Sequence, residues 1–140
     1  MNSNIAVFIP TKNEIIHIER SVQSALKLTP HVFVIDSSST DGTIEKAESL
    51  GVTVLQYEWT ASSNFSTKFN WALENLPVNT TWIIRLDADE YFIEDTLNKL
   101  SGELEKIDSS INAVTLNRRI HFRGRWIKHG GQYPRPMSRI

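Results

Sequence analysis

Two aspartates, Asp87 and Asp89, stand one residue apart at the end of the apolar run Trp82-Ile83-Ile84-Arg85-Leu86. In an extended run, residues i and i+2 project to the same side, so both carboxylates can approach one point. Two ionised carboxylates at close quarters repel unless a cation lies between them. Mg²⁺ takes oxygen ligands and typically uses one or two carboxylates plus substrate phosphates. The pair therefore reads as a clamp for a divalent cation, Mg²⁺ or Mn²⁺, and a diphosphate; an acidic turn or helix N-terminus is the plainer alternative. A second cluster, Asp36-Ser37-Ser38-Ser39-Thr40-Asp41-Gly42, follows another apolar run. Asp36 could accept hydrogen bonds from ribose hydroxyls or a base N–H. The same residues also make turns, with Asp41 or Thr43 capping the helix that follows. A third cluster, Pro10-Thr11-Lys12-Asn13-Glu14, has capping-box spacing between Thr11 and Glu14. Ligand contact and capping both stay open there.

Charge is distributed unevenly around these clusters. Residues 1–108 carry 8 basic and 16 acidic side chains, whereas 109–140 carry 7 basic ones and no acid. The basic stretch includes Arg118, Arg119, Arg123, Arg125 and Lys128 around Trp126, with His129 and Gly130-Gly131 next to it. A positive stretch favours an anionic ligand or surface, although a solvated face is the commoner meaning of such a run.

The elements that position these clusters follow from hydrophobic periodicity. Ile5–Ile9, His31–Asp36, Val52–Tyr57 and Thr80–Leu86 read as strands, and Asn112–Phe122 as a longer strand of mixed polarity. Between them, Ile15–Leu28, Thr43–Leu50, the stretch from Phe65 to Leu76 and Glu94–Ile107 carry helical spacing. Strand–helix alternation predicts an α/β layer fold with a mostly parallel sheet flanked by helices. In such sheets the ligand crevice lies beyond the carboxyl ends of the strands, where all three polar clusters fall.

Several chemistries are excluded. There is no cysteine, hence no disulfide frame, thiolate metal site or cysteine nucleophile. No G-x-G-x-x-G dinucleotide fingerprint, H-E-x-x-H zinc motif or G-x-S-x-G elbow occurs among the 140 residues. A Gly-rich phosphate loop after the first strand, which a nucleotidyltransferase would need, is also missing. The longest apolar runs fall far short of the roughly 18–20 residues that span a bilayer. The N-terminus has no basic region followed by a long apolar core, so no secretory signal is expected. These features predict a soluble, cytoplasmic protein of one α/β fold.

Taken in order and at these separations, Ile9-Pro10-Thr11-Lys12-Asn13-Glu14, Val34 to Thr43 and Arg85-Leu86-Asp87-Ala88-Asp89-Glu90 resemble family 2 glycosyltransferases of the GT-A fold. The segment from Phe122 to Pro134 resembles the bacterial branch related to lipopolysaccharide-core β-glucosyltransferases. The resemblance implies an inverting transfer of a sugar from a nucleotide diphosphate donor to an acceptor hydroxyl, in bacterial surface polysaccharide or lipopolysaccharide synthesis. It implies that Asp36 holds the nucleoside, that Pro10, Thr11, Asn13 and Glu14 pack around base and ribose, and that Asn70 lies near a second nucleotide contact. Asp87 would meet the ribose or the metal shell, and Asp89 would be the principal ligand of the divalent cation. Arg123, Arg125, Trp126, Lys128 and His129 would lie on the acceptor side or near the leaving diphosphate. Many members carry an aromatic residue where this chain has Lys12. The implied partners are a nucleotide diphosphate sugar and a saccharide or lipid-linked acceptor, at the inner face of the bacterial membrane; no nucleic acid is expected. On this reading 1–108 binds the donor, and 109–140 begins an acceptor half that is incomplete, with the catalytic base expected beyond Ile140. A nucleotide-sugar or partner-binding module without turnover is the alternative.

Overall fold

A computed structural model describes residues 2–140. The chain divides into two compact units, one ending at Lys106 and one spanning Ile107–Ile140. The first alternates strands and helices: β1 (Ile5–Thr11), α1 (Ile18–Leu26), β2 (His31–Asp36), α2 (Thr43–Ser49), β3 (Thr53–Gln56), α3 (Phe65–Asn75), β4 (Trp82–Arg85) and α4 (Glu94–Leu104). The second holds four short strands: β5 (Thr115–Asn117), β6 (His121–Phe122), β7 (Arg125–Trp126) and β8 (Pro136–Ser138).

The first four strands form one parallel sheet in the order β3-β2-β1-β4. Parallel strands need crossover connections, and α1, α2 and α3 supply them. β1 and β2 are buried along nearly their whole length, which is why they read as continuous apolar runs. Ala6 and Phe8 share a core with Phe33, Ile35, Tyr57, Ala72 and Leu76 on the α3 side. Ile5, Val7 and Ile9 alternate with them toward the other face and are equally buried. Ile18, Val22 and Ala25, spaced i, i+4, i+7 on α1, form that helix's buried stripe. Burying each such side chain contributes roughly 1.5–3 kcal/mol, so the sheet is the rigid frame of the unit.

Helix ends explain most boundaries. Asn64 caps α3 by accepting from Thr67 N, while Thr67 Oγ1 accepts from Asn64 N, a reciprocal pair. Gly51, at φ 79°, ends α2 in the left-handed region that only glycine adopts at no cost. Glu94 and Asp95 sit in the first turn of α4, where the helix dipole favours negative charge.

Three expectations need correction. The Thr11–Glu14 spacing caps no helix: Thr11 is still in β1, residues 15–17 form a turn, and α1 starts at Ile18 without a side-chain cap. β4 ends at Arg85, and Asp87–Glu90 is a turn closed by Glu90 N donating to Asp87 O at 2.8 Å. The same-side argument for Asp87 and Asp89 therefore does not apply, since it required an extended chain. The long strand over 112–122 is broken at residues 118–120 into β5 and β6. β5 pairs antiparallel with β8, and β6 with β7 through a two-residue turn of Arg123 and Gly124, both at positive φ. Arg-Gly is not among the usual signals for such a turn, which favours Asn-Gly or Asp-Gly, so the hairpin was hidden. Among the described residues no helix is long and apolar enough to cross a membrane.

Candidate functional site at the strand ends

In the order β3-β2-β1-β4 the chain reverses direction across the sheet between β1 and β4, which is where open α/β sheets bind ligands. Pro10 marks the opening. Leu86 N donates to Phe8 O at 3.1 Å, the last bond between the two strands' ends. Two residues on, Pro10 faces the same edge with no N–H to donate, so β1 continues beside β2 alone.

Beside that opening lies a buried polar cluster. The carboxylate of Asp36, 0% exposed, accepts from Thr11 Oγ1 at 2.8 Å, Ser39 N at 2.7 Å and Ser39 Oγ at 2.6 Å. Lys68 reaches in from α3, 4% exposed, and donates to Thr11 O at 3.0 Å and Ser37 Oγ at 2.8 Å. Burial pushes its ammonium down to about 8; nearby Asp36 opposes the shift and Lys12 adds to it. One lysine thus ties the ends of β1 and β2 to α3. Lys68 was not singled out in the sequence. The signal was there: it falls four residues before buried Ala72, a charge on a helix's buried stripe.

The loops after β1 and β2 are fastened to one another along their length. Lys12 Nζ donates to Ser37 O at 2.8 Å and also to Ser38 O. Asn13 N donates to Ser39 Oγ at 2.7 Å, and Asn13 Oδ1 accepts from Thr40 N at 2.9 Å. Glu14 N donates to Thr43 Oγ1 at 2.8 Å. Asp41 accepts from Ile15 N and from the N–H and hydroxyl of Thr43, and the Thr43 hydroxyl foremost holds its carboxyl below the usual carboxylate range. Asn13 and Ser38 take left-handed backbone, φ 57° and 60°, which these cross-loop bonds hold in place. Pro10, Thr11, Asn13, Glu14 and Asp36 are therefore brought together. Asn70 is not: it is exposed on α3, two residues and roughly 200° round the helix from Lys68.

The acidic turn stands at the end of β4. Asp87 is half-buried, with its Oδ1 at 3.5 Å from Arg85 Nε. Asp89 is exposed, and its main-chain carbonyl accepts from Arg20 Nη2 at 3.2 Å. No cluster of three or more acidic or histidine side chains suited to a metal ion occurs among the described residues. The donor set fits a cation held by one or two carboxylates together with ligand phosphates, and does not fit an all-protein cage.

In the unit Ile107–Ile140, the basic residues are organised by aromatic rings. Trp126 carries the Arg119 guanidinium at 4.6 Å and Lys128 Nζ at 4.7 Å from its ring centre, and meets Tyr133 edge-on at 4.9 Å. Arg123 lies 5.5 Å over Phe122, while Arg125, its neighbour across the turn, is exposed, as is His129.

Comparison with solved structures gives the fold. TarS residues 1–349 from S. aureus superpose with a TM-score of 0.64 at 23% identity, covering 90% of this chain and 38% of that one. Glucosyl-3-phosphoglycerate synthase from Mycobacterium tuberculosis in complex with UDP superposes at 0.66 and 23% identity, covering 84% and 45%. The architecture is therefore the Rossmann-like GT-A fold. Among curated relatives, an uncharacterized glycosyltransferase of Rickettsia conorii is 36% identical over 112 residues, 80% of this chain and 36% of the relative. One of Rickettsia felis is 38% identical over 108 residues, 77% and 35%. The chain spans about a third of the length of these relatives. The family model for glycosyl transferase family 2 matches residues 6–139, and the chain belongs to that family.

Proposed function

We propose that this chain carries the donor-binding part of a glycosyltransferase that moves a sugar from a nucleoside diphosphate to an acceptor hydroxyl with inversion. The observation that carries this reading is the placement of the Asp36 cluster and the Asp87–Glu90 turn on either side of β1, at the edge where the sheet reverses. The Asp36 side would take the nucleoside, with Pro10, Thr11, Asn13 and Glu14 forming the walls, and the acidic turn would take the diphosphate. Asp89 would hold a divalent cation, with Asp87 at the edge of its shell; M. tuberculosis glucosyl-3-phosphoglycerate synthase has been solved with Mn²⁺, UDP and glucosyl-3-phosphoglycerate. When bound, such a cation offsets the negative charge that gathers on a departing diphosphate. In the transfer, the acceptor oxygen bonds to the anomeric carbon as the bond to the diphosphate oxygen breaks, and the acceptor proton passes to a base. The residues 109–140 would begin the acceptor side, Arg123, Arg125, Trp126, Lys128 and His129 meeting an anionic group. A place in bacterial surface polysaccharide synthesis, at the inner membrane face, completes the reading; the relatives named above are bacterial.

Calorimetry of UDP and GDP with Mn²⁺ or Mg²⁺, against EDTA and against Asp89→Asn, tests the donor site. Affinity that depends on both the cation and Asp89 is the expected result. Equal affinity under all conditions would sink it. A second reading is nucleotide-sugar binding without turnover: residues 109–140 carry no Asp or Glu, so they supply no general base themselves. Deprotonating the acceptor contributes about 10²–10⁴ in rate, so its loss would leave binding nearly intact. Release of UDP from a UDP-sugar in the presence of Mn²⁺ decides for the enzyme, and saturable binding without release for the module.

A further inference from the structure

The acidic turn is gripped from two sides by two arginines, each stacked on an aromatic ring. Arg20, on α1, lies 4.4 Å over the Tyr91 ring and donates to Asp89 O at 3.2 Å. It heads a stripe on that helix: Ser24 Oγ accepts from Phe92 N at 3.1 Å, and Lys27 pairs with Glu94 at 2.8 Å. Residues 20, 24 and 27 lie on one face of a helix, so one row of α1 fastens residues 89 to 94. Arg85, on β4, lies 4.4 Å over Phe69, whose ring packs against Phe8 and Phe65 at 6.1 and 6.2 Å. From that seat its Nε sits 3.5 Å from Asp87 Oδ1.

The structure assigns the two arginines opposite tasks: Arg85 keeps the Asp87 carboxylate paired within the protein, and Arg20 pins the Asp89 main chain so that the Asp89 carboxylate alone is presented to a cation. The assignment rests on the proposed reading of Asp89 as a cation ligand. Its physical basis is the contact each guanidinium makes. Arg20 donates to a carbonyl oxygen and leaves the Asp89 side chain exposed, whereas the Arg85 guanidinium faces a carboxylate oxygen of Asp87 at ion-pair distance, 3.5 Å. A guanidinium and a divalent cation compete for the same carboxylate charge, so the Arg85 ion pair opposes the joining of Asp87 to a cation. Both arginines are positioning residues; neither needs to touch ligand. Stacking on a ring limits the orientations each planar fork can take, which a lysine at either place would not reproduce.

The two tasks predict effects of opposite sign, which general damage to the fold would not give. Mn²⁺ is titrated by electron paramagnetic resonance into the chain saturated with UDP, and UDP by calorimetry in Mn²⁺ and in EDTA. Arg20→Gln should weaken Mn²⁺ binding by roughly three- to tenfold, less than one whole charge-assisted hydrogen bond because the effect reaches the cation only through the Asp89 main chain, with UDP affinity in EDTA unchanged. Arg85→Gln should strengthen Mn²⁺ binding several-fold by releasing a second carboxylate, while Arg85→Lys, which keeps the charge, should stay closer to the parent. If Arg85→Gln and Arg85→Lys both bind Mn²⁺ as the parent does, or if Arg20→Gln does, the corresponding assignment is overturned. Hydrogen exchange separates this from the reading beneath it. Arg20→Gln should speed exchange at the amides of residues 87–92 and spare β1. Should the parent show no cation dependence but Arg20→Gln still loosen these amides, the ligand reading of Asp89 fails and the brace stands. Unchanged exchange overturns the brace itself.

Discussion

The two units of the chain hold their charged residues by different means. In the parallel-sheet unit, Asp36 and Lys68 are buried, and every loop they touch is fixed by hydrogen bonds between 2.6 and 3.0 Å. In Ile107–Ile140 the strands are exposed or half-buried, and Arg139 is the one buried residue among those described. There Arg119, Arg123 and Lys128 lie over rings of Trp126 and Phe122 rather than in polar pockets. An exposed cation–π contact contributes about 0.5–1 kcal/mol, against about 1.5–3 kcal/mol for a hydrogen bond to a charged group. The first arrangement fixes one geometry at the strand ends. The second supplies charge and leaves the geometry soft.

The largest effect that would break this contrast is folding itself. A chain below roughly 40 residues rarely folds without disulfides, metal or a partner surface, and the 34 residues 107–140 contain no cysteine. Residues 1–106 expressed alone should show a cooperative urea transition, while a peptide of 107–140 should give the circular dichroism of a disordered chain. A peptide with dispersed amide resonances would show that the second unit has a core of its own.

Next in size is the buried polar cluster at the strand ends. Asp36→Ala removes the acceptor of three hydrogen bonds and a negative charge that favours the Lys68 ammonium. Leaving buried donors without their acceptor costs about 1–3 kcal/mol. Asp89→Asn, at an exposed position, should stay within about 0.5 kcal/mol in the same denaturation experiment. Equal, small losses for both would mean that Asp36 is no more than a turn residue.

Lys68 gives the cluster a pH signature of known sign. Its folded-state pKa, about 8, lies below the 10.5 of a free lysine, chiefly because it is buried. Between those values the unfolded chain binds more protons, so stability from this group rises with pH through the window and is flat on either side. Against Lys68→Met, the parent should gain on the order of 2–3 kcal/mol from pH 7.5 to 10.5, read from urea midpoints of the two proteins. A difference that does not change with pH would mean that the ammonium is as well solvated as a surface lysine.

How far the sequence revealed the fold tracks the same divide. The apolar runs around β1 to β4 and the helical spacing between them announced an α/β sheet, most plainly at β1 and β2, where burial on both faces leaves an unbroken signature. His31–Asp36 matches β2 residue for residue. Where burial stops, legibility stops. The strand expected over 112–122 breaks at residues 118–120, and the hairpin that follows it turns on Arg-Gly rather than the usual Asn-Gly or Asp-Gly. The clusters at the strand ends were visible as residue types, but their internal bonding was not. Nothing in Thr11-x-x-Glu14 distinguishes a helix cap from a strand-end threonine that donates to Asp36. The Arg20 brace escaped notice for a similar reason: Arg20 and Asp89 are 69 residues apart, and only the fold brings them together.

The smallest effect is the one that asks whether soft charge does any binding. Arg123 and Arg125 flank Gly124 in the β6–β7 turn, and both are exposed. Replacing both with Gln should change stability by less than about 0.5 kcal/mol, since neither is in a buried network. If the basic unit meets an anionic ligand, the same substitutions should weaken UDP binding by a few-fold at low salt. The loss should fade by about 0.5 M NaCl, because the screening length there is shorter than the reach of an exposed charge. Uridine, which has no phosphate, should bind the parent and the variant equally at every salt concentration. Arg119, which already lies over Trp126, offers the internal comparison: Arg119→Gln removes the same charge from a stacked position. If all three arginines act only as diffuse charge, their losses scale with the charge removed and vanish together in salt. A salt-resistant loss confined to Arg123 or Arg125 would mean that the hairpin grips phosphate directly, and no loss for UDP at any salt would return the segment to a solvated face.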